Sequence, residues 1–361
     1  MSTIQDVARH AGVSISTISN FLNGRAERMG RDTLLRVQAA IADLQFKPNR
    51  AARQLKTGYT PMLGLLVPSI ANPMYGYIAR EIETSAQEEF GMRVLLGNTY
   101  RNQAKETGFF DDLLSHGVRG VVVISSLGNE QHFESAVKRG LVMVSYDRRA
   151  TQGAASTIDH ESVDNFKAGA LAARHLIDRG HRRIAFATVA GQTMSRVEKI
   201  KGFLEAAAQG GLNPANAAGA PAAATKVQAT VIEEPTDSEY GDSEMPEAGR
   251  RLAHRLASQA QPPSGVVAVN DLMAFGLMAG FRECRLSVPS DVSVIGMDGL
   301  FLSSFSNPGL TTVRLPVAEM ARTIVHRVIG RMRDPDIKPS EFLFEPDMVE
   351  RESVATPAAP V

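Results

Sequence analysis

The stretch Ile4-Gln5-Asp6-Val7-Ala8-Arg9-His10-Ala11-Gly12-Val13-Ser14-Ile15-Ser16-Thr17-Ile18-Ser19-Asn20-Phe21-Leu22-Asn23 decides how the rest of the chain is read. Ile4, Val7, Ala8 and Ala11 recur at the spacing of one helix face. Gly12 follows where a helix can end left-handed without a side-chain penalty. Ser14 stands where a hydroxyl can cap the next helix. That helix hides Ile18 and Leu22 and shows Ile15, Ser16, Ser19 and Asn20. This is the layout of a helix-turn-helix, whose second helix lies in the DNA major groove. A plain helical hairpin has the same pattern, so the remaining residues must separate the two.

Charge separates them first. Residues 1–60 carry nine Lys/Arg and four Asp/Glu, a net +5, which the remainder balances with −5 to leave the chain neutral. A basic head on an acidic body suits a small phosphate-contacting domain joined to a larger one with another task. The 361 residues allow two or three domains. The 43% hydrophobic and 22% charged content is that of a soluble globular protein. No apolar run reaches membrane-spanning length, no secretory signal opens the chain, and the single Cys284 excludes an internal disulfide. A cytoplasmic location is expected.

A third helix, with Leu34, Val37, Ile41 and Leu44 on one face and Pro48 beyond it, completes the head. Asn49 to Gly58 favours helix but is too short to be stable alone, and Leu55 is its isolated large apolar side chain. From Pro61 onward, short apolar runs (63–67, 94–96, 121–124, 142–144, 184–187, 266–269, 292–295) alternate with amphipathic segments. Continuous apolar strands separated by helices mean parallel sheets covered on both faces. Their number predicts an α/β body of two doubly wound subdomains behind the all-α head. Ligands in such sheets sit beyond the carboxyl ends of the strands. Those ends carry polar residues here: Asn72, Asn98, Ser125, Asp147, Asn270, Asp271 and Asp298. The Ala-rich stretch Asn213–Thr225 reads as a mobile surface loop.

Enzyme signatures are missing from the sequence. It has no phosphate loop, no dinucleotide fingerprint, no nucleophile elbow and no zinc-binding helix motif. Cys284 reads as a packed thiol, and His160, His175 and His181 lack metal-site spacing. No catalytic residue, metal or cofactor is expected.

Taken together, Thr3-Ile4-Gln5-Asp6-Val7-Ala8, Ala11-Gly12-Val13-Ser14, Thr17-Ile18-Ser19, Leu22-Asn23-Gly24 and Lys47-Pro48-Asn49 resemble the head of the lactose-repressor/galactose-repressor (LacI/GalR) family of bacterial transcription regulators. The resemblance runs on through Asn72-Pro73, Asp164-Asn165, Lys201-Gly202-Phe203, Asn270-Asp271 and Pro308-Gly309-Leu310-Thr311-Thr312-Val313. It implies a helix-turn-helix domain at 1–48 and a hinge segment at 49–60. An effector-binding and dimerisation domain of periplasmic-binding-protein type follows at 61–353, with the chain crossing between subdomains near 163, 297 and 324, and then a tail at 354–361. It also implies a homodimer on a pseudo-palindromic operator, with no membrane partner.

By the same resemblance, Ile15, Ser16 and Asn20 read bases, while Thr17 and Ser19 lean towards phosphate. Thr3, Ser14, Asn23, Asn49, Arg53 and Lys56 complete the DNA contacts, and Leu55 is the minor-groove wedge. The effector positions fall on Met74, Tyr75, Ser125, Asp147, Arg196, Lys199, Asn270, Asp271 and Asp298. Tyr75, Phe166 and Phe301 are candidates for ring stacking in a chain without Trp. Lys199 stands where the family usually has Arg, and a lysine is a point charge rather than a fork; Arg196, one turn earlier, is expected to take the forked role. Replacing Asp271 or Asp298 by Ala is then expected to spare DNA binding and abolish the effector response. The effector is expected to be a carbohydrate or sugar derivative, with a nucleobase or other metabolite acting as co-repressor as the alternative. A free solute-binding protein is a distant rival that would need an export signal and no basic head.

Overall fold

The computed structural model describes residues 2–22, 29–46, 60–125, 131–147, 156–191, 193–210, 226–235 and 244–357. It divides into two units, 1–60 and 61–361. The hinge 49–60 lies outside the described residues except for Thr60, as do the Ala-rich stretch after Asn213 and most of the Gly24–Arg31 loop.

Among the described residues the head has three helices, α1 (Ile4–Ala11), α2 (Ile15–Leu22) and α3 (Arg31–Asp43). Thr3 and Asp6 form a reciprocal capping box at the start of α1, and Gly12 ends it at φ 61°. The Ser14 hydroxyl accepts from the Thr17 N–H at 3.1 Å and so starts α2. Val7, Ala8, Ala11, Ile18, Val37, Ala40 and Phe46 form the core. The third helix stops at Asp43, before Pro48, and the chain turns so that Phe46 fills the base of that core.

Among the described residues the body holds two six-stranded sheets. The first contains β1 (Met62–Val67), β2 (Arg93–Asn98), β3 (Gly120–Val123), β4 (Val142–Tyr146), β5 (Asp159–Val163) and β11 (Glu341–Phe344), in the order β11-β5-β4-β3-β1-β2. The second contains β6 (Arg183–Val189), β7 (Gln228–Glu234), β8 (Gly265–Ala268), β9 (Ser293–Asp298), β10 (Thr311–Arg314) and β12 (Asp347–Val349), in the order β12-β10-β9-β8-β6-β7. Every pairing is parallel except β10 with β12. Helices α4 (Pro73–Phe90), α5 (Gln103–Ser115), α6 (Gln131–Lys138) and α11 (Val317–Arg333) pack on the first sheet. Helices α7 (Asn165–Asp178), α8 (Met194–Gly210), α9 (Met245–Ala257) and α10 (Asp271–Glu283) pack on the second.

Five strands fall outside the expected apolar runs: β5, β7, β10, β11 and β12. The chain crosses between lobes at 163–165, 314–317 and 344–347. The crossings expected near 297 and 324 are therefore corrected. Met297 lies within β9 of the second sheet, and Ile324 lies in the middle of α11, buried against the first. The physical reason is that β10 must pair with β9 before the chain can leave the second lobe.

Helices α7 and α8 cross at a pair of glycines. A Cβ at Gly202 would stand 1.8 Å from the Phe166 carbonyl oxygen, and one at Gly169 would stand 1.9 Å from that of Lys199. The backbones touch there, and this fixes α8 with its cleft-facing residues against the second lobe.

Candidate functional site

Each lobe repeats one topology: a first strand flanked by its second on one side and its third on the other. The order in which successive strands are laid down reverses at β1/β3 and at β6/β8, and ligands collect beyond strand ends at such switch points. A cleft of about 770 Å³, part of it open to solvent, lies there.

The first lobe contributes Met74 and Tyr75 from the opening turn of α4, Ser125 after β3, and Tyr146 and Asp147 at the end of β4. The second contributes Arg196 and Lys199 from one face of α8, Asn270 after β8 and Asp298 at the end of β9. The expected Met74, Tyr75, Ser125, Asp147, Arg196, Lys199, Asn270 and Asp298 thus share one cleft.

Phe166, Asp271 and Phe301 do not line it, and those expectations are corrected. Asp271 is fully buried and accepts from the Leu300 N–H (2.7 Å), the Ser303 hydroxyl (2.7 Å) and the Thr312 hydroxyl. Burial raises its carboxyl to about 6 against the opposing pull of those bonds. It ties α10 to β10 and to the turn after β9, and does not face ligand. Replacing Asp271 by Ala strands three buried donors. The expected result is a loss of about 2 kcal/mol in body stability by denaturant unfolding, not a selective loss of effector response. Phe301 is 70% exposed and lies edge-on to Phe305, away from the cleft. Phe166 is half-buried at the start of α7, where its carbonyl abuts Gly202.

Several lining residues were missed, among them Arg101, Tyr146, Thr193, Ser195 and Met245. Arg101 lies three residues beyond β2, and its Nη2 donates to the Tyr75 hydroxyl at 3.2 Å. Tyr146 ends β4 beside Asp147, and burial, with the Asp147 charge next, pushes its phenol up. Backbone strain gathers here: Arg101 (φ 56°), Asp147 (φ 58°) and Asp298 (φ 124°) all hold positive φ, as residues at functional sites often do.

Each polar group has a set direction. The Asn270 Oδ1 caps α10 by accepting from the Met273 N–H at 2.9 Å, which leaves its Nδ2 to offer hydrogens. The Ser125 hydroxyl donates to buried Glu106, which also holds the His132 Nε2 at 2.7 Å. Asp147 accepts from Asn165 Nδ2 at 2.8 Å, a bond that links the cleft to the first crossing. The Arg196 Nη1 donates to the carbonyls of Val189, Ala190 and Gly191 and clamps the loop after β6.

In the head, Ile15 is 46% exposed and Ser16 is exposed, while Thr17, Ser19 and Asn20 are half-buried. The Ser14 hydroxyl bonds those of Ser16 (2.7 Å) and Thr17 (2.8 Å). The Thr3 hydroxyl is committed to its cap. Asn23, Asn49, Arg53, Leu55 and Lys56 lie outside the described residues.

A helix-turn-helix head followed by a two-lobed body with a polar cleft defines a DNA-binding regulator governed by a small molecule. The pattern of bacterial regulatory proteins of the lacI family matches residues 3–49, and that of a periplasmic binding protein-like domain matches 173–354. The chain is 32% identical to the HTH-type transcriptional repressor PurR of Yersinia pestis bv. Antiqua, over 98% of this chain and 97% of that one. It belongs to the lacI family of bacterial regulatory proteins.

Among solved structures, the lac repressor dimer bound to operator and the anti-inducer ONPF shares the fold. Its TM-score is 0.77 at 22% identity, over 98% of this chain and 99% of that one. The transcriptional regulator CelR in complex with cellobiose aligns at TM-score 0.63 and 25% identity, over 98% and 100%. A ribose-bound family member from Enterococcus faecium aligns at 0.66 and 25%, over 82% and 99%.

Proposed function

We propose that this chain is a cytoplasmic, non-enzymatic repressor that binds a pseudo-palindromic operator as a homodimer and is switched by a sugar or sugar derivative in the cleft. The observation that carries the effector reading is the cleft's lining. Two carboxylates, three cations and several amide and hydroxyl groups face one another from both lobes, a set suited to a ligand rich in hydroxyls. The cellobiose- and ribose-bound relatives support it. Asp147 and Asp298 accept from ligand hydroxyls, Asn270 donates, and Met74 and Tyr75 cover an apolar ring face. Among described lining residues the only rings are those of Tyr75 and Tyr146. A planar nucleobase therefore has less to stack on.

Switching works through the three crossings at 163–165, 314–317 and 344–347. Ligand drawn between the lobes changes their relative rotation, and in sequence the 49–60 segment directly precedes β1 of the first lobe. Ile15, Ser16 and Asn20 choose the bases, with Thr17 and Ser19 at the phosphates, while Leu55 wedges the central step. The coupling is a free energy shared between cleft and operator, equal in both directions.

A thermal-shift screen of the whole chain against sugars and nucleobases tests the ligand class, since a ligand bound only to the native state raises its melting temperature. Stabilisation by nucleobases alone would remove the sugar reading. Leu55→Ala is expected to weaken binding to an operator fragment at least about 10-fold, while salt-dependent binding to random DNA is unchanged. Equal loss on both DNAs would refute the wedge assignment.

A further inference from the structure

Lys199 differs from every other charge in the cleft. It is only 8% exposed and lines the cavity, and it has neither a hydrogen bond nor an ion pair among the described residues. Its neighbours are engaged. Arg196 holds three loop carbonyls, Arg101 donates to Tyr75, and Asp147 accepts from Asn165. A buried charge without a partner is costly, and here the open side faces the ligand space. Lys199 also sits one helical turn from Arg196 on the same face of α8, so two cations stand together on that wall. The Gly169–Gly202 contact locks this wall in place, with the Lys199 carbonyl itself against Gly169. The Lys199 backbone cannot shift without opening the α7–α8 crossing.

A compact ammonium with three donors suits a single anionic group. A neutral ligand would offer it hydroxyl dipoles and leave its charge uncompensated inside a closed cleft. We propose that the effector is a sugar-sized polyhydroxy metabolite carrying one anionic group, a carboxylate or a phosphate, bound by the Lys199 Nζ. This rests on the cleft being the effector site, as proposed above. The rest of the molecule lies against Asn270, Asp147 and Asp298, and the two aspartate carboxylates would repel a second anionic group.

The test is calorimetric titration of the full-length protein with matched sets: D-glucose, D-glucuronate and D-glucose 6-phosphate; D-ribose and D-ribose 5-phosphate; and inorganic phosphate alone. The expected result is that a charged member of one set binds at least about 10-fold tighter than its neutral counterpart, and that its affinity falls between about 50 and 300 mM KCl. Lys199→Met should erase that preference by weakening the charged member more than the neutral one, and Lys199→Arg should retain most of it. Should Lys199→Met fail to fold, the Lys199→Arg variant and the salt dependence of the parent still decide.

A neutral sugar binding as tightly as its charged counterparts would overturn the inference and leave the sugar reading standing. So would Lys199→Met weakening neutral and charged members equally. Inorganic phosphate binding as tightly as the sugar phosphates would overturn the polyhydroxy part. If no member of any set bound, both the inference and the sugar reading would fall.

Discussion

A chain carrying Glu161→Gln is expected to gain stability over the parent as pH rises, by about 3 kcal/mol between pH 4.5 and 7. Glu161 is fully buried in β5, and both its carboxyl oxygens lack hydrogen-bond partners among the described residues. Burial, and then the Asp159 carboxylate on the same strand face, raise its carboxyl to about 9, against a smaller opposing pull from Arg327. A carboxyl raised on folding must take up a proton to fold. Its contribution is fully present below the unfolded value of 4.5, and it is lost as pH climbs through the folded value near 9. The glutamine side chain has nearly the same shape and no proton to take up. Denaturant unfolding of parent and variant at pH 4.5, 7 and 9 reads the difference directly, because every other titration cancels. A difference that stayed constant with pH would show that Glu161 is ionised in the fold.

Gly202→Ala is expected to cost roughly 3 kcal/mol or more, in the upper range for overpacking a core. The added methyl would meet the Phe166 carbonyl at 1.8 Å, a backbone atom that no side-chain rotation can move. Helix α8 must therefore retreat from α7. Arg196 and Lys199 move with it, away from the cleft and from the carbonyls of 189–191. The substitution should lower the unfolding midpoint of the body and weaken effector binding together, while the three-helix head keeps its own core. Normal effector affinity in a destabilised protein would show that α8 absorbs the methyl without moving its charged face.

The architecture was legible where burial and side-chain chemistry agree. The apolar runs at 63–67, 121–124 and 266–269 are strands flanked on both faces by helices, and their polar carboxyl ends meet in the cleft. It was illegible where they disagree. Strand β5 reads Asp-His-Glu-Ser-Val, yet all five residues are buried. Its Asp159 is matched across the fold, with Arg327 and Arg331 reaching it from α11 at 2.7 and 2.8 Å. No local pattern announces a partner some 170 residues away.

The same holds for two neighbouring acids. Asp271 and Asp298 both end polar strand runs, but one begins a helix and turns inward to three donors, while the other stays at the cleft with φ 124°. Arg101 was missed because it reaches the cleft from a turn past β2, beyond the residues that mark the strand's end. The cap residues Thr3, Asp6, Gly12 and Ser14, by contrast, act locally and were readable as such.

The three crossings also bear on how the protein is made. The first sheet takes its edge strand β11 from residues 341–344, and α11, which covers β3 and β4, from 317–333. On the ribosome, the lobe that starts first therefore cannot finish until nearly the whole chain has emerged. The second lobe in turn receives β12 only at 347–349. Neither lobe is a contiguous piece of the gene, so neither can be excised, swapped or shortened from the carboxyl end without opening both.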